Sequence, residues 1–181
     1  MRPYRPDLEA RRYAQVRSQA YAAAARGIES DFHVPLSFRN IESRAFIAWK
    51  VQWQPLHTGR QDLGEWDWPQ LAQYYLAKPE SFHLAIWSQS ILCGLAVGRP
   101  RRAKSSMTVE FIEGSPEPHH PLKGSILALT IVAADAYARA IGCLMLRISE
   151  PAPGLLPIYA EFGFRLVKVG STVRYCERRI A

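Results

Sequence analysis

Two stretches of this 181-residue sequence carry residue types that can do chemistry. The first is HHPLKGSIL, residues 119–127. A helix opening here would present unpaired backbone N–H groups and a partial positive charge at its first turn. Gly124 allows close backbone approach, Lys123 adds a cation and Ser125 a hydroxyl, which together could seat a pyrophosphate. It is not a Walker loop, because the GxxxxGK[ST] spacing is absent. An ordinary helix start after a proline loop would contain the same residues. The second stretch is IYAEFGFRL, Ile158 to Leu166. Gly163 suits the position just past a helix C-terminus, where φ is positive, and Phe164 can fold back onto the last turn. Tyr159 lies about one turn earlier. A phenol near the end of a strand–loop–helix unit can protonate a leaving group in acyl transfer; a packed aromatic on an amphipathic helix is the other reading. His119 and His120 open the first stretch, as polar loop residues or as cofactor contacts and proton shuttles. No third ligand accompanies them, so no metal is expected.

The elements that must hold these stretches follow from periodicity and punctuation. Residues from Pro6 to about Ile28 read as a helix ending at Gly27, with Leu8, Tyr13, Val16, Ala20, Ala24 and Ile28 at helical spacing. Arg11, Arg12, Arg17 and Arg26 then form a solvated face, or a contact for nucleic acid. AFIAWKVQW, 45–53, is strand or helix; periodicity does not separate them. WPQLAQYYLAKP is a short helix with Pro69 near its start and Pro79 beyond its end. Strands near 82–88 and 91–98 form a hairpin, and RPRRAK is a basic turn before a third strand near 106–113. After the proline-rich SPEPHHP, a long helix starting at LKGS runs to a cap at Gly142. CLMLRIS is a strand, PAPGLLPIYAEFG a loop into a short helix, and FRLVKVGSTVRYCERRI a closing hairpin turning at Gly170 and Ser171. The order β-β-β-α-β-α-β-β predicts an α/β (α+β) fold, a mixed sheet with helices on its faces. No internal repeat is visible.

That order, with YAEFGF matching Y-x-x-x-G-F, resembles the GNAT acyltransferase superfamily over residues 82–180, and only loosely before them. The resemblance implies one domain over 1–181: a helical extension (1–30), a variable acceptor-side region (31–80) and a cofactor-binding core (82–180). It implies a mostly antiparallel sheet with helices on both faces and a V-shaped splay between two central parallel strands. Coenzyme A would lie in that splay, its pantetheine on strand backbone and its pyrophosphate on the following helix N-terminus. By resemblance, Val109 and Phe111 flank the pantetheine, and Pro121, Leu122, Lys123, Gly124, Ser125 and Ile126 form the phosphate loop. Tyr159 is then the general acid to the departing thiolate. The family's loop usually reads Gln/Arg-x-x-Gly-x-Gly/Ala; here Gly124 is kept, but Pro121 and Ile126 replace the outer residues. SEPAPG stands where an asparagine often follows the next strand. These departures leave room for a different acyl donor, an altered pose or lost activity.

Glu110 lies fourteen residues before Gly124, a spacing that resembles histone-acetylating members with a glutamate base there. A base must reach the amine and have its pKa tuned by partial burial. A solvent-facing strand carboxylate is the alternative. Glu113, three residues on, is turned to the opposite face by the pleat unless a bulge intervenes. Trp53, Trp66, Trp68, Tyr74 and Tyr75 fall where the family builds its acceptor pocket; most are expected in the core, with one or two lining the site.

Composition narrows the field. With 48% hydrophobic and 22% charged residues the chain can bury a core and is too apolar for disorder. No apolar run is long enough for a membrane span and no signal-type stretch opens the chain, so the cytosol is the expected location. Cys93, Cys143 and Cys176 are scattered and odd in number, which predicts reduced, buried thiols. A net charge of +7, from 23 basic and 16 acidic residues, favours anionic partners. The leading expectation is an acetyl-CoA-dependent N-acyltransferase acting on an amine of a small molecule or protein, another acyl-CoA being admissible. The alternatives are a tRNA-type, nucleic-acid-directed acetyltransferase and a catalytically inactive binding protein. The acceptor, the pathway and the oligomeric state, a homodimer included, are not written in the sequence.

Overall fold

A computed structural model describes residues 6–59 and 64–180. Among them, seven strands form one sheet: β1 (Ser37–Arg39), β2 (Phe82–Ser88), β3 (Ile91–Pro100), β4 (Ser106–Gly114), β5 (Met145–Ser149), β6 (Arg165–Val169) and β7 (Thr172–Arg179). Their spatial order is β1-β2-β3-β4-β5-β7-β6. Every neighbouring pair is antiparallel except β4 and β5, which run parallel. Both expected hairpins are present. β1 was not foreseen, because three residues are too few to show a period.

Helices cover both faces. On one, α1 (Pro6–Ile28) and α4 (Ile126–Ala140) pack over a core that includes Tyr21, Phe82, Leu84, Met107, Val109 and Tyr137. On the other, α2 (Ser43–Ala48) and α3 (Trp68–Leu76) bring Trp49, Trp53, Trp68 and Tyr75 against Trp87, Leu95 and Val97. The ambiguous 45–53 segment is helical: α2 passes into a π-helical turn, Trp49–Trp53. Trp49 and Trp53 are buried four residues apart while Ile47 and Val51 face outward, which is helical and not strand spacing.

Three details of the sequence reading need correction. Gly27 does not end α1; the helix runs through it to Ile28 and tightens into a 3-10 turn, Glu29–Asp31. Arg17 is not on the solvated face. It is buried, donating to Asn40 Oδ1 at 2.9 Å, Pro79 O at 2.7 Å and Ser81 O at 2.9 Å. These bonds satisfy a buried cation and fasten α1 to the turn before β2. Finally, α4 starts at Ile126, because residues 121–125 form turns in which Gly124 takes φ +81°. Its other end closes as expected: Gly142 has φ +82°, and the Cys143 amide donates to Ala138 O at 2.8 Å. All three cysteines are buried and free.

Candidate active site

The parallel pairing of β4 and β5 begins at Ser106↔Met145 and stops at Val109↔Ile148. β4 continues to Gly114 without β5, so the two strands fork beyond Val109. The fork starts at a bulge. Gly98 pairs with Val109 and Val97 with Phe111, leaving Glu110 as the extra residue on β4. Gly98 is required there: a Cβ would lie 2.2 Å from the Thr108 carbonyl oxygen.

The bulge resets the alternation of β4. Met107, Val109 and Ile112 pack toward α4, whereas Phe111 and Glu113 both meet groups on the α3 side, as does Glu110. Glu113 therefore shares a face with Glu110, against the simple pleat. Its buried carboxylate accepts from Trp68 Nε1 at 2.5 Å and from the Glu65 amide at 2.7 Å, and burial pushes its pKa up. Gly64 crosses it so closely that a Cβ would stand 3.1 Å from the carboxylate. Glu113 thus ties the 64–68 segment over the fork. Glu110 is also engaged: one oxygen accepts from Arg99 Nε at 2.8 Å and the other from the Tyr75 hydroxyl. Each oxygen keeps a second lone pair, so the carboxylate can still accept a proton with both donors in place. Burial, then that hydrogen bond, raises the Tyr75 pKa, so the phenol is fixed as donor.

The fork opens into a cleft of about 570 Å³ lined by Val109, Glu110, Phe111, Ser149, Glu150 and Tyr159, with Trp66 at its edge. Tyr159 lies on α5 (Leu156–Glu161), which ends as the sequence predicts. Gly163 takes φ +76° and the Phe164 amide donates to Tyr159 O at 3.0 Å. The Tyr159 ring packs edge-on to Phe164 and is buried, which pushes its pKa up to about 12, with Cys176 adding to the rise. It stays protonated at ordinary pH, and its hydroxyl has no hydrogen-bond partner among the described residues.

Next to this cleft, sharing Gly114, Ile126 and Leu127 with it, is a niche of about 290 Å³ formed also by Ser115, His120, Lys123 and Gly124. Lys123 and Gly124 are exposed, and nothing stands within 4 Å of where a Gly124 Cβ would be. His120 is buried and its Nδ1 has no partner among the described residues. Burial, then the Lys123 charge, lowers its pKa, so the ring is neutral at neutral pH. An orphaned polar atom beside the amides of a helix start fits an anionic guest such as a pyrophosphate. Leu122 differs from its expected place: its side chain is in the core, leaving only its backbone to the loop. Pro121 is exposed and Ser125 half-buried, neither among the niche-lining residues. Ile126, the bulky departure from the family's loop, points at the sheet. Its side chain fills the space over Gly94 and Gly114, 2.7 Å and 3.4 Å from where their Cβ atoms would lie. Two glycines make room for the bulk on the sheet side, while Ile126 also lines the niche.

On its other side the cleft shares Glu110, Ser149 and Glu150 with a cavity of about 920 Å³. Lys78, Arg99, Arg101, Arg147, Arg174 and Tyr175 complete much of its lining. Of the N-terminal aromatics, Trp53, Trp68 and Tyr75 are core, and Trp66 lines the cleft at the fork. Sequence reading missed Glu150 and Arg147 as lining residues. Glu150 has a sequence-visible context, the missing asparagine, and a structural mark: φ +42° for a residue with a Cβ. Among the described residues there is no cluster that could hold a metal, and no helix is long and apolar enough to cross a membrane.

No family model and no curated protein matches the sequence. Solved structures do match its fold. Ard1 from Thermoplasma volcanium aligns with a TM-score of 0.60 at 14% identity, over 82% of this chain and 99% of that one. A GNAT-family acetyltransferase from Staphylococcus aureus MU50 aligns with a TM-score of 0.59 at 10% identity, over 81% and 100%. The PaiA N-acetyltransferase of Thermoplasma acidophilum, solved with coenzyme A, aligns with a TM-score of 0.52 at 14% identity, over 80% and 99%. At these identities what is shared is the fold: this chain has the architecture of the GNAT N-acetyltransferases.

Proposed function

We propose that the protein transfers an acetyl group from acetyl-CoA to an amine, directly and without an acyl-enzyme. The observation that carries this reading is the fork beyond Val109↔Ile148 with the Tyr159 phenol lining it and a second cavity joining it at Glu110, Ser149 and Glu150. The β5-facing edge of β4 from Glu110 to Gly114, left without β5, offers backbone donors and acceptors to an extended pantetheine. The niche at His120, Lys123 and Gly124 takes the pyrophosphate, where His120 donates in its Nδ1–H tautomer. The amine enters from the larger cavity. Its nitrogen attacks the thioester carbon, a C–N bond forms and the C–S bond breaks. The proton lost by nitrogen goes to a carboxylate at the junction, Glu110 through a lone pair that Tyr75 and Arg99 leave free, or to water. The sulfur leaves as a thiolate. Tyr159 donates a hydrogen bond to it, and the proton it finally carries comes through that phenol or from solvent. Free thiols ionise near ~8.5, well below the value of about 12 for Tyr159. Hydrogen-bond stabilisation of the developing thiolate is thus the phenol's main contribution. The reading is tested by titrating the purified chain with acetyl-CoA and following thiol release over a panel of amines. Saturable binding and amine-dependent release are expected. No binding at millimolar acetyl-CoA would overturn it.

A further inference from the structure

The acceptor-side cavity has its charges arranged in a particular order. Its floor includes Thr108 and Glu110 on β4, Arg147 and Ser149 on β5 and Tyr175 on β7. At the junction with the other cleft stand Glu110, Ser149 and Glu150; Glu110 is paired there with Arg99, and Glu150 adds a second carboxylate. Arg147 lies two residues back along β5, about 7 Å behind Ser149 at a strand's rise per residue. Its guanidinium is held on two sides. Nε donates to Glu177 Oε2 at 2.9 Å, and the group sits 4.6 Å over the Tyr175 ring. Glu177 also receives Arg165 at 2.6 Å, so one buried carboxylate serves two guanidiniums and a positive charge is left over. Arg147 engages the protein through Nε alone among the described residues. The paired terminal nitrogens of a residue that lines the cavity have no protein acceptor among the described residues. A guanidinium oriented by stacking and by one fixed bond, with its fork free, is preorganised for a two-oxygen anion. Arg101 and Arg174 add positive charge to the same wall.

We propose that the acceptor is an aminocarboxylate: its carboxylate sits on the Arg147 fork and its amine faces Glu150 and Glu110 beside the thioester. This rests on the acyl-transfer reading above, and it specifies the substrate class. The cation at one end and the carboxylates at the other align such a zwitterion with its nitrogen toward the fork. A plain amine would find only the carboxylate end.

The test uses the full chain with acetyl-CoA and matched pairs, each amino acid against its own carboxamide. The expected result is a kcat/KM at least about tenfold higher for the acids. Arg147→Gln should raise KM for the acids about tenfold or more, leaving KM for the amides and the Kd for coenzyme A unchanged. Arg147→Lys, which keeps charge but not the fork, should recover only part of the loss. Should Arg147→Gln fail to fold, Tyr175→Leu removes the stacking face and should raise KM for the acids alone. Equal turnover of acids and amides, or an Arg147→Gln effect equal on both, overturns the inference while acyl transfer stands. If no amine at all is acetylated, acyl transfer falls separately, and calorimetry of the same pairs decides the site: binding of acids over amides that is lost in Arg147→Gln supports it, and its absence overturns it.

Discussion

Tyr159 is poised to give rather than to take. Its pKa of about 12 keeps the phenol protonated through the working range, so its ionisation puts no alkaline limb on the rate at pH 6–9. Tyr159→Phe should lower kcat by about 10–10²-fold, the loss of one hydrogen bond to a developing charge, while the Kd for coenzyme A stays within about twofold. His120→Ala should weaken coenzyme A binding about tenfold by calorimetry, the loss expected for one hydrogen bond to a charged group. Glu113 makes a different prediction. Its pKa is raised by burial, so the folded chain holds that proton more tightly than the unfolded chain. Its contribution to stability is therefore greatest below the ordinary carboxylate range and declines as pH rises through the raised folded value. Urea melts at a series of pH values should show this decline in the wild type and not in Glu113→Gln. Tyr159 and Gly163 were legible in sequence because a helix stop is written locally. The facing of Glu113 was not, because it depends on a bulge whose cause, Gly98, lies on another strand.

The hairpins, the long helix and the closing strands were read correctly as elements, since each has its own period and its own turn residues. The helical 45–53 segment was ambiguous for want of a clean period; its two tryptophans are sorted inward only by the sheet they meet. The helix start after the proline loop was legible in sequence, but the place of the Ile126 side chain was not. Ile126 is bulky because Gly94 and Gly114 leave room beneath it, a complementarity between segments that no local motif can display. Gly94→Ala should therefore cost about 1–3 kcal/mol of unfolding free energy through overpacking. Combining it with Ile126→Ala should return part of that loss, with a favourable coupling measurable in a double-mutant cycle.

For the molecule as a whole, the basic surplus suggested an anionic partner, and structure redistributes it. Arg17 belongs to the core and Arg147 to the cavity, so the cations are not one external stripe. Arg17→Met would strand the Pro79 and Ser81 carbonyls it now caps, and should lower unfolding free energy by about 3 kcal/mol, read by denaturant melts. Such a role could not be seen in a helix where four arginines look alike by spacing. The Gly98 contact reaches further than its position suggests. Any side chain there would have to displace the Thr108 carbonyl, and with it the stretch of β4 from which the fork departs. The aperture of the fork is thus governed from the strand behind, by the absence of a single methyl group.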